Sequence, residues 1–294
     1  MFIEVKNLVK KYKEKTVVDD VNISIDEGQF IALLGPNGAG KSTTINMITG
    51  LLSTTSGEIK IAGMKPNDKH FGHNIGVVFQ QSTLDKELTV KENLKNRAAM
   101  YRNVQTIEDS LIEEFELKSI LNQKYGSLSG GQKRRVDIAR SLVHNPKALF
   151  LDEPSTGLDI QTRSVIWQTL DHFRKENGLT IILTTHYLEE TENADFVYII
   201  DHGKIIKADT VSNLKKNFAR NILTLETKQK ENVIELLNEY QDIKTDKNCL
   251  SIYVQEKEAV ILVLNKVSDL IENFEYKKGT MDDIFVTLTG REIR

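Results

Sequence analysis

Eight consecutive residues, Gly35-Pro36-Asn37-Gly38-Ala39-Gly40-Lys41-Ser42, fit the pattern G-x-x-x-x-G-K-[ST]. These residue types at this spacing make a cradle for phosphate. Glycines let successive backbone N–H groups turn inward around an anion, and a helix N-terminus behind them favours negative charge. The Lys41 ammonium can reach the β- and γ-phosphates of a nucleotide, and the Ser42 hydroxyl is placed to ligate Mg²⁺. Gly35 to Ser42, with Thr43 behind them, form the candidate binding segment. The alternative is a glycine turn that merely connects two elements.

A second candidate lies downstream, where Lys147-Ala148-Leu149-Phe150-Leu151-Asp152-Glu153 ends an apolar run in two adjacent carboxylates. On its own this reads as a strand running into a solvated loop. Downstream of a phosphate loop, Asp152 would hold Mg²⁺, directly or through water, and Glu153 would orient or deprotonate an attacking water.

These residues need a scaffold. Phe30-Ile31-Ala32-Leu33-Leu34 is a continuous apolar run, as in a strand buried on both faces. Lys41–Thr49 after the glycine turn reads as a helix closed by Gly50. Ala148–Leu151, Thr180–Leu183 and Val197–Ile200 are further buried strands separated by helical patterns, which points to an α/β domain with a mostly parallel sheet. Alternation from Val5 to Ile25 predicts antiparallel strands at the start, and residues 85–144 predict a helical insert. Beyond residue 213 the character changes. A strand at Ile222–Glu226, a helix at Glu231–Tyr240, a hairpin of Ile243–Thr245 and Leu250–Val254, a helix at Ala259–Asn273 and an extended segment around Tyr276 give the order β-α-β-β-α-β. That order predicts a small ferredoxin-like α+β unit over residues 214–294 beside a larger domain over 1–213.

Composition narrows the function. The 294 residues carry 39 Lys and Arg against 42 Asp and Glu, a net charge of −3. That argues against a nucleic-acid binder, whose footprint is a basic face. Hydrophobic residues at 39% suit a packed core. No stretch approaches the 18 or more apolar residues that could span a bilayer. Cys249 stands alone and makes no internal disulfide, and no secretory signal is visible at the N-terminus, so a reducing cytoplasm is the expected setting.

Between the two acidic and phosphate motifs lies Leu128-Ser129-Gly130-Gly131-Gln132, followed by Lys133-Arg134-Arg135-Val136-Asp137-Ile138-Ala139-Arg140. Read locally, Ser129 is a helix N-cap and Ser-x-x-Gln makes a capping box. The segment also resembles the signature of ABC-type ATPases, and the phosphate loop, signature and Asp-Glu strand occur in that family's order. The resemblance covers about residues 1–210. It implies ATP and Mg²⁺ as ligands and a head-to-tail homodimer, in which Ser129, Gly130, Gly131 and Gln132 contact the γ-phosphate held by the opposite subunit.

Other positions follow from the same resemblance. Tyr12 matches the aromatic residue that stacks on adenine, and Val18 the apolar residue lining the same base. Gln80 matches the glutamine that senses Mg²⁺ and faces the membrane partner, with Gln81 beside it as a competitor one residue away. Asp159, in Ser155-Thr156-Gly157-Leu158-Asp159, matches the acid of the loop crossing the dimer interface. His186 matches the histidine that contacts the γ-phosphate. Ile160 departs from the family, where many relatives carry Pro. Glu153, His186, Gln80 and Lys41 are then the catalytic candidates, and Ser42, Gln80 and Asp152 the metal ligands.

Ile75-Gly76-Val77-Val78-Phe79-Gln80 and the tail Met281-Asp282-Asp283-Ile284-Phe285 resemble the bacterial drug-resistance and antibiotic-exporter branch. The implied protein is an ATPase on the inner face of the cell membrane, powering export through a separate integral-membrane permease. The rivals are an import ATPase and a soluble ABC-type ATPase.

Overall fold

The computed structural model describes the chain apart from residues 103, 105, 220, 241–242, 255–256 and 291–294. It divides into two compact units between Thr210 and Val211. In the first, β1 (Ile3–Tyr12) and β2 (Lys15–Ile25) form an antiparallel hairpin. β3 (Phe30–Leu34) runs through the glycine loop into α1 (Lys41–Ile48). β4 (Ser56–Ile61) and β5 (Ile75–Val78) precede the helical stretch of α2 (Val90–Ala98), α3 (Asp109–Glu114) and α4 (Gly130–Leu142). β6 (Ala148–Asp152), α5 (Ile160–Asn177), β7 (Thr180–Thr185), β8 (Phe196–Asp201) and β9 (Lys204–Asp209) complete the unit.

The central sheet has the order β5-β6-β7-β3-β8-β9, parallel except for β9, which pairs antiparallel with β8. β3, β6 and β7 are buried along their whole length, which explains the apolar runs Phe30–Leu34, Ala148–Leu151 and Ile181–Leu183 within them. A smaller antiparallel sheet, β2-β1-β4, shares one core with it: Ile3, Val5 and Leu8 pack with Ile45 and Met47 of α1 and with Phe150, Ile182 and Ile200. Chain order and sheet order differ, so the C-terminal ends of β5, β6, β7 and β3 lie side by side and present their following loops to one crevice.

α4 lies against the far edge of this sheet. A Cβ on Gly76 of β5 would come within 2.5 Å of the Ser141 carbonyl oxygen, so helix and strand approach at a distance only glycine allows. Nearby, the ring of Tyr101 stacks on His144 with centroids 4.0 Å apart and planes at 2°. His144 Nε2 lies 3.0 Å from the Ile75 carbonyl oxygen.

The second unit contains α6 (Val211–Phe218), β10 (Asn221–Glu226), α7 (Lys230–Leu236), β11 (Lys244–Asp246), β12 (Cys249–Val254), α8 (Lys257–Val267), β13 (Asn273–Lys277) and α9 (Met281–Thr289). Its sheet is antiparallel in the order β11-β12-β10-β13 and has its own core, built on Leu223, Leu225, Ile252, Val233 and Val263. α8 is shorter than the helix expected at 259–273. After Val267 the chain makes a 3₁₀ turn, Ser268–Leu270, whose last carbonyl accepts from Thr227 Oγ1, and Glu272 N–H donates to the Glu226 carbonyl. Pairing with β10 claims the residues that helical periodicity would have continued into.

Burial of His144, with Arg97 and Arg140 nearby, pushes its imidazole down to about 4. The folded state therefore refuses a proton that the unfolded imidazole, with an ordinary pKa of about 6.5, accepts. Stability should fall as pH drops from 6.5 toward 4, and His144→Gln should flatten that part of the profile. Urea midpoints measured across this window check both outcomes.

Candidate functional site

The glycine loop is shaped by what surrounds it. A Cβ on Gly35 would lie 2.3 Å from the Ile200 carbonyl oxygen, and one on Gly40, at φ 103°, 2.8 Å from that of Val17. Gly40 is also the N-cap of α1 and supplies no side-chain cap, which leaves the first N–H groups of the helix facing the loop. Asn37 and Gly38 form the exposed tip, while Pro36 is half-buried and Ala39 packs inward. The Lys41 side chain lies buried within the loop, its Nζ donating to the carbonyls of Gly35 at 2.8 Å and Pro36 at 3.2 Å. Burial pushes this ammonium below the usual lysine range, and the carboxylate of Glu153 pulls it partly back.

Asp152 ends β6 opposite Ser42, whose Oγ donates to Asp152 Oδ1 at 3.0 Å; Thr184 Oγ1 of β7 donates to the same oxygen. Glu153 follows in a left-handed conformation, φ 47°, rare for a residue with a Cβ and concentrated at functional sites. Its N–H donates to the Thr184 carbonyl at 3.1 Å. Its Oε1 lies 3.6 Å from Lys41 Nζ and 3.3 Å from His186 Nδ1, and its Oε2 accepts from Gln80 Nε2 at 3.2 Å. Lys41, Ser42, Gln80, Asp152, Glu153 and His186 thus form one cluster. It also separates Gln80 from Gln81, since Gln80 is the one bonded to Glu153.

Arg134, the middle of three basic residues after the signature, was not among the expected site residues. Its guanidinium is buried and donates to four carbonyls, those of Phe79 (2.6 Å), Asp152 (3.1 Å), Glu153 (2.9 Å) and Pro154 (2.5 Å). It thereby ties the end of β5 to the turn carrying Glu153. Helical periodicity held the signal, for Arg134 lies on the same face of α4 as the buried Asp137, Ile138 and Ser141, at i+3, i+4 and i+7. Asp137 accepts from Ser82 Oγ at 2.6 Å and from Tyr125 OH at 3.2 Å, and burial raises its carboxyl.

The remaining expected residues stand apart. Among the described residues, no hydrogen bond or ion pair joins Tyr12, Ser129–Gln132 or Asp159 to the cluster. Tyr12 is exposed, with Lys10 Nζ 5.1 Å from its ring centroid. Ser129 caps α4 through a complete capping box with Gln132. Gly130 is open to solvent, whereas a Cβ on Gly131 would strike the Thr162 side chain of α5 at 2.7 Å, so that glycine serves helix packing. Asp159 caps α5, accepting from Thr162 N at 2.9 Å and Thr162 Oγ1 at 2.7 Å, which holds its carboxyl below the usual range. Val18 corrects the expectation. It has no accessible surface and packs beneath Gly40 in the core, so it supports the loop and offers nothing to a base.

Arg134→Lys keeps a positive charge but cannot satisfy four carbonyls at divergent angles. It should cost at least about 2 kcal/mol through the acceptors left unpaired, measured as a lowered urea midpoint.

Residues 18–156 match the family described as ABC transporter. The chain is 32% identical over 300 residues to "Nod factor export ATP-binding protein I" of Rhizobium sp. (strain N33), an alignment covering 99% of this chain and 98% of that protein. It is 38% identical over 223 residues to "Probable multidrug ABC transporter ATP-binding protein YbhF" of Escherichia coli K12, covering 74% of this chain and 38% of that longer protein. Among solved structures, the ATP-binding subunit of an ABC transporter superposes with a TM-score of 0.68 at 30% identity, over 74% of this chain and 92% of the other. A dimeric ATP-binding cassette described as a post-hydrolysis state bound to ADP and Pi gives 0.65 at 32%, over 71% and 98%. A family match, a relative similar along nearly its whole length and superposable solved structures agree: this chain belongs to the ABC transporter family, among its ATP-binding, ATP-hydrolysing subunits.

Proposed function

We propose that the chain powers export of a substrate through a separate membrane permease, with the cluster around Glu153 hydrolysing ATP. The observation that carries the export reading is the likeness to a Nod factor exporter's subunit along nearly the whole length, both compact units included. No described helix is long and apolar enough to cross a membrane, and in this reading a separate permease carries the substrate. We place the subunit on the inner face of the membrane beside that permease, residues 1–213 acting as the ATPase and 214–294 as an accessory domain.

Within the site, backbone N–H groups from Asn37 to Thr43 cradle the phosphates, and Tyr12 stacks on adenine. Phosphate oxygens compete with the Gly35 and Pro36 carbonyls for the Lys41 ammonium, which turns toward the β- and γ-phosphates. The donor set suits Mg²⁺. Ser42 and Asp152 offer hard oxygens 3.0 Å apart with Gln80 nearby, and among the described residues no set of three or more His, Cys, Asp or Glu stands ready to hold a softer or more fully caged metal. Mg²⁺ held by Ser42, Asp152 and Gln80 would neutralise charge on the phosphates. Glu153 takes the proton of a water whose oxygen bonds to the γ-phosphorus while the bond to the ADP oxygen breaks. His186 contacts the γ-phosphoryl oxygens from the end of β7.

The exposed signature supports a two-copy arrangement. Ser129–Gln132 and Asp159 are held ready by their capping bonds yet contact nothing in their own active cluster, as expected if each serves the nucleotide of a second copy. Closing two copies over two ATP molecules and reopening after hydrolysis gives the two-state element that a permease can follow.

Glu153→Gln should retain ATP binding and lose at least about a hundredfold in turnover, the scale for general-base catalysis. Equilibrium nucleotide binding and steady-state phosphate release measure the two separately, and a mutant hydrolysing near the wild-type rate would remove Glu153 from the role. Tagged protein recovered from detergent-solubilised native membranes should bring a stoichiometric multi-span partner; recovery with soluble assemblies alone would replace export with a soluble-ATPase reading.

A further inference from the structure

We infer that Glu190 is a positioning residue for His186, acting through the Thr185 hydroxyl, with Arg163 of α5 supporting the same turn from the other side. The inference rests on His186 being the γ-phosphate contact. His186 follows directly on β7 and belongs to no regular element, so something other than sheet pairing must fix its ring.

A closed set of hydrogen bonds does so. Tyr187 N–H donates to Thr185 Oγ1 at 2.8 Å, Thr185 Oγ1 donates to Glu190 Oε2 at 2.5 Å, and Glu190 N–H donates to the Tyr187 carbonyl at 3.3 Å. A hydroxyl has one proton. While Glu190 accepts it, the lone pairs of Thr185 Oγ1 face the Tyr187 N–H and hold the chain on either side of His186. The alternative acceptor is the Tyr187 carbonyl, 3.4 Å from the same hydroxyl, and a proton turned there would reorganise the turn. On the ring side, Tyr187 packs on His186 with centroids 4.1 Å apart, and the Arg163 guanidinium carbon lies 5.6 Å from the Tyr187 ring centroid. The imidazole is thus confined between Tyr187 and Glu153 Oε1.

Glu190 is an expensive residue for a merely structural post. It is more than nine-tenths buried, where an apolar side chain costs less. Burial pushes its carboxyl up to about 7, against the pull of the Thr185 bond, Arg163 of α5 and Arg134 of α4, while Glu189 pushes the same way as burial. Protonated or not, a carboxyl keeps an oxygen able to accept from Thr185, and so does the amide of glutamine.

The test uses the full chain. In Glu190→Ala, kcat for ATP should fall about tenfold to a hundredfold, the scale of a misplaced contact, with KM and nucleotide-binding stoichiometry unchanged. Glu190→Gln should stay within about threefold of wild type. In spectra of ¹⁵N-histidine-labelled protein, the His186 signal, identified by its loss in His186→Ala, should move in Glu190→Ala and stay in place in Glu190→Gln. Should the alanine variant not fold, Thr185→Val removes the same hydroxyl and should reproduce the drop in kcat. Glu190→Ala or Thr185→Val turning over at the wild-type rate overturns the inference. So does equal impairment of the alanine and glutamine variants with the His186 signal unmoved. A fully active His186→Ala would instead overturn the reading of the site itself.

Discussion

A single buried guanidinium holds together the segments on which the cluster is built. Arg134 reaches from α4 into the crevice and donates to the carbonyls of Phe79, Asp152, Glu153 and Pro154. These lie at the ends of β5 and β6, neighbouring strands whose pairing runs as far as Val78 and Leu151, and the guanidinium ties them together just beyond that pairing. Taking a guanidinium out of water is costly, and here hydrogen bonds to four carbonyls offset the cost. The left-handed backbone of Glu153 depends on this anchoring, because a conformation unfavourable by about 1–3 kcal/mol persists only where its surroundings over-determine it. Thr184 supplies the other half, accepting the Glu153 N–H on its carbonyl and binding Asp152 through its hydroxyl.

From that turn the rest of the cluster follows by strand order. β6 lies between β5 and β7, and β7 beside β3, so the residues after each strand converge. Gln80 then meets one oxygen of Glu153, while Lys41 and His186 approach the other. In the proposed reading a general base is held by the groups that would bind its substrate, and phosphates drawing Lys41 and His186 toward themselves would loosen that hold. α4 has two roles at once. Its N-terminus is an exposed, capped signature, and its second turn carries Arg134 into the site. A shift of this helix would be felt at both ends, as a lever between the face that the proposed two-copy arrangement turns toward another copy and the carboxylate proposed to activate water.

The second unit is organised on different terms. Its two inner strands, β10 and β12, alternate buried with less buried residues, and α7 and α8 cover its core of Leu223, Leu225, Ile252 and Val263. None of the catalytic candidates lies in it. Its likeness to the same relative that matches the first unit makes it part of the shared architecture.

The sequence by itself determined the local devices. The spacing of Gly35, Gly40, Lys41 and Ser42, the acidic end of an apolar strand, the Ser129–Gln132 capping box and the buried parallel strands all depend on residues a few positions apart, where periodicity, capping and turn chemistry operate. Tertiary structure decided what depends on distant partners. Gln80 was separated from Gln81 only by Glu153, 73 residues away, and Arg134 gained its role only from carbonyls on β5 and β6. Val18 proved to serve packing, because whether a side chain faces a ligand or a neighbour is set by the element that lies across from it. α8 stopped at Val267 because a strand from elsewhere in the unit claimed the hydrogen bonds of the next residues. Local pattern encodes what a segment can form, and long-range contact selects which of its groups are left to do chemistry.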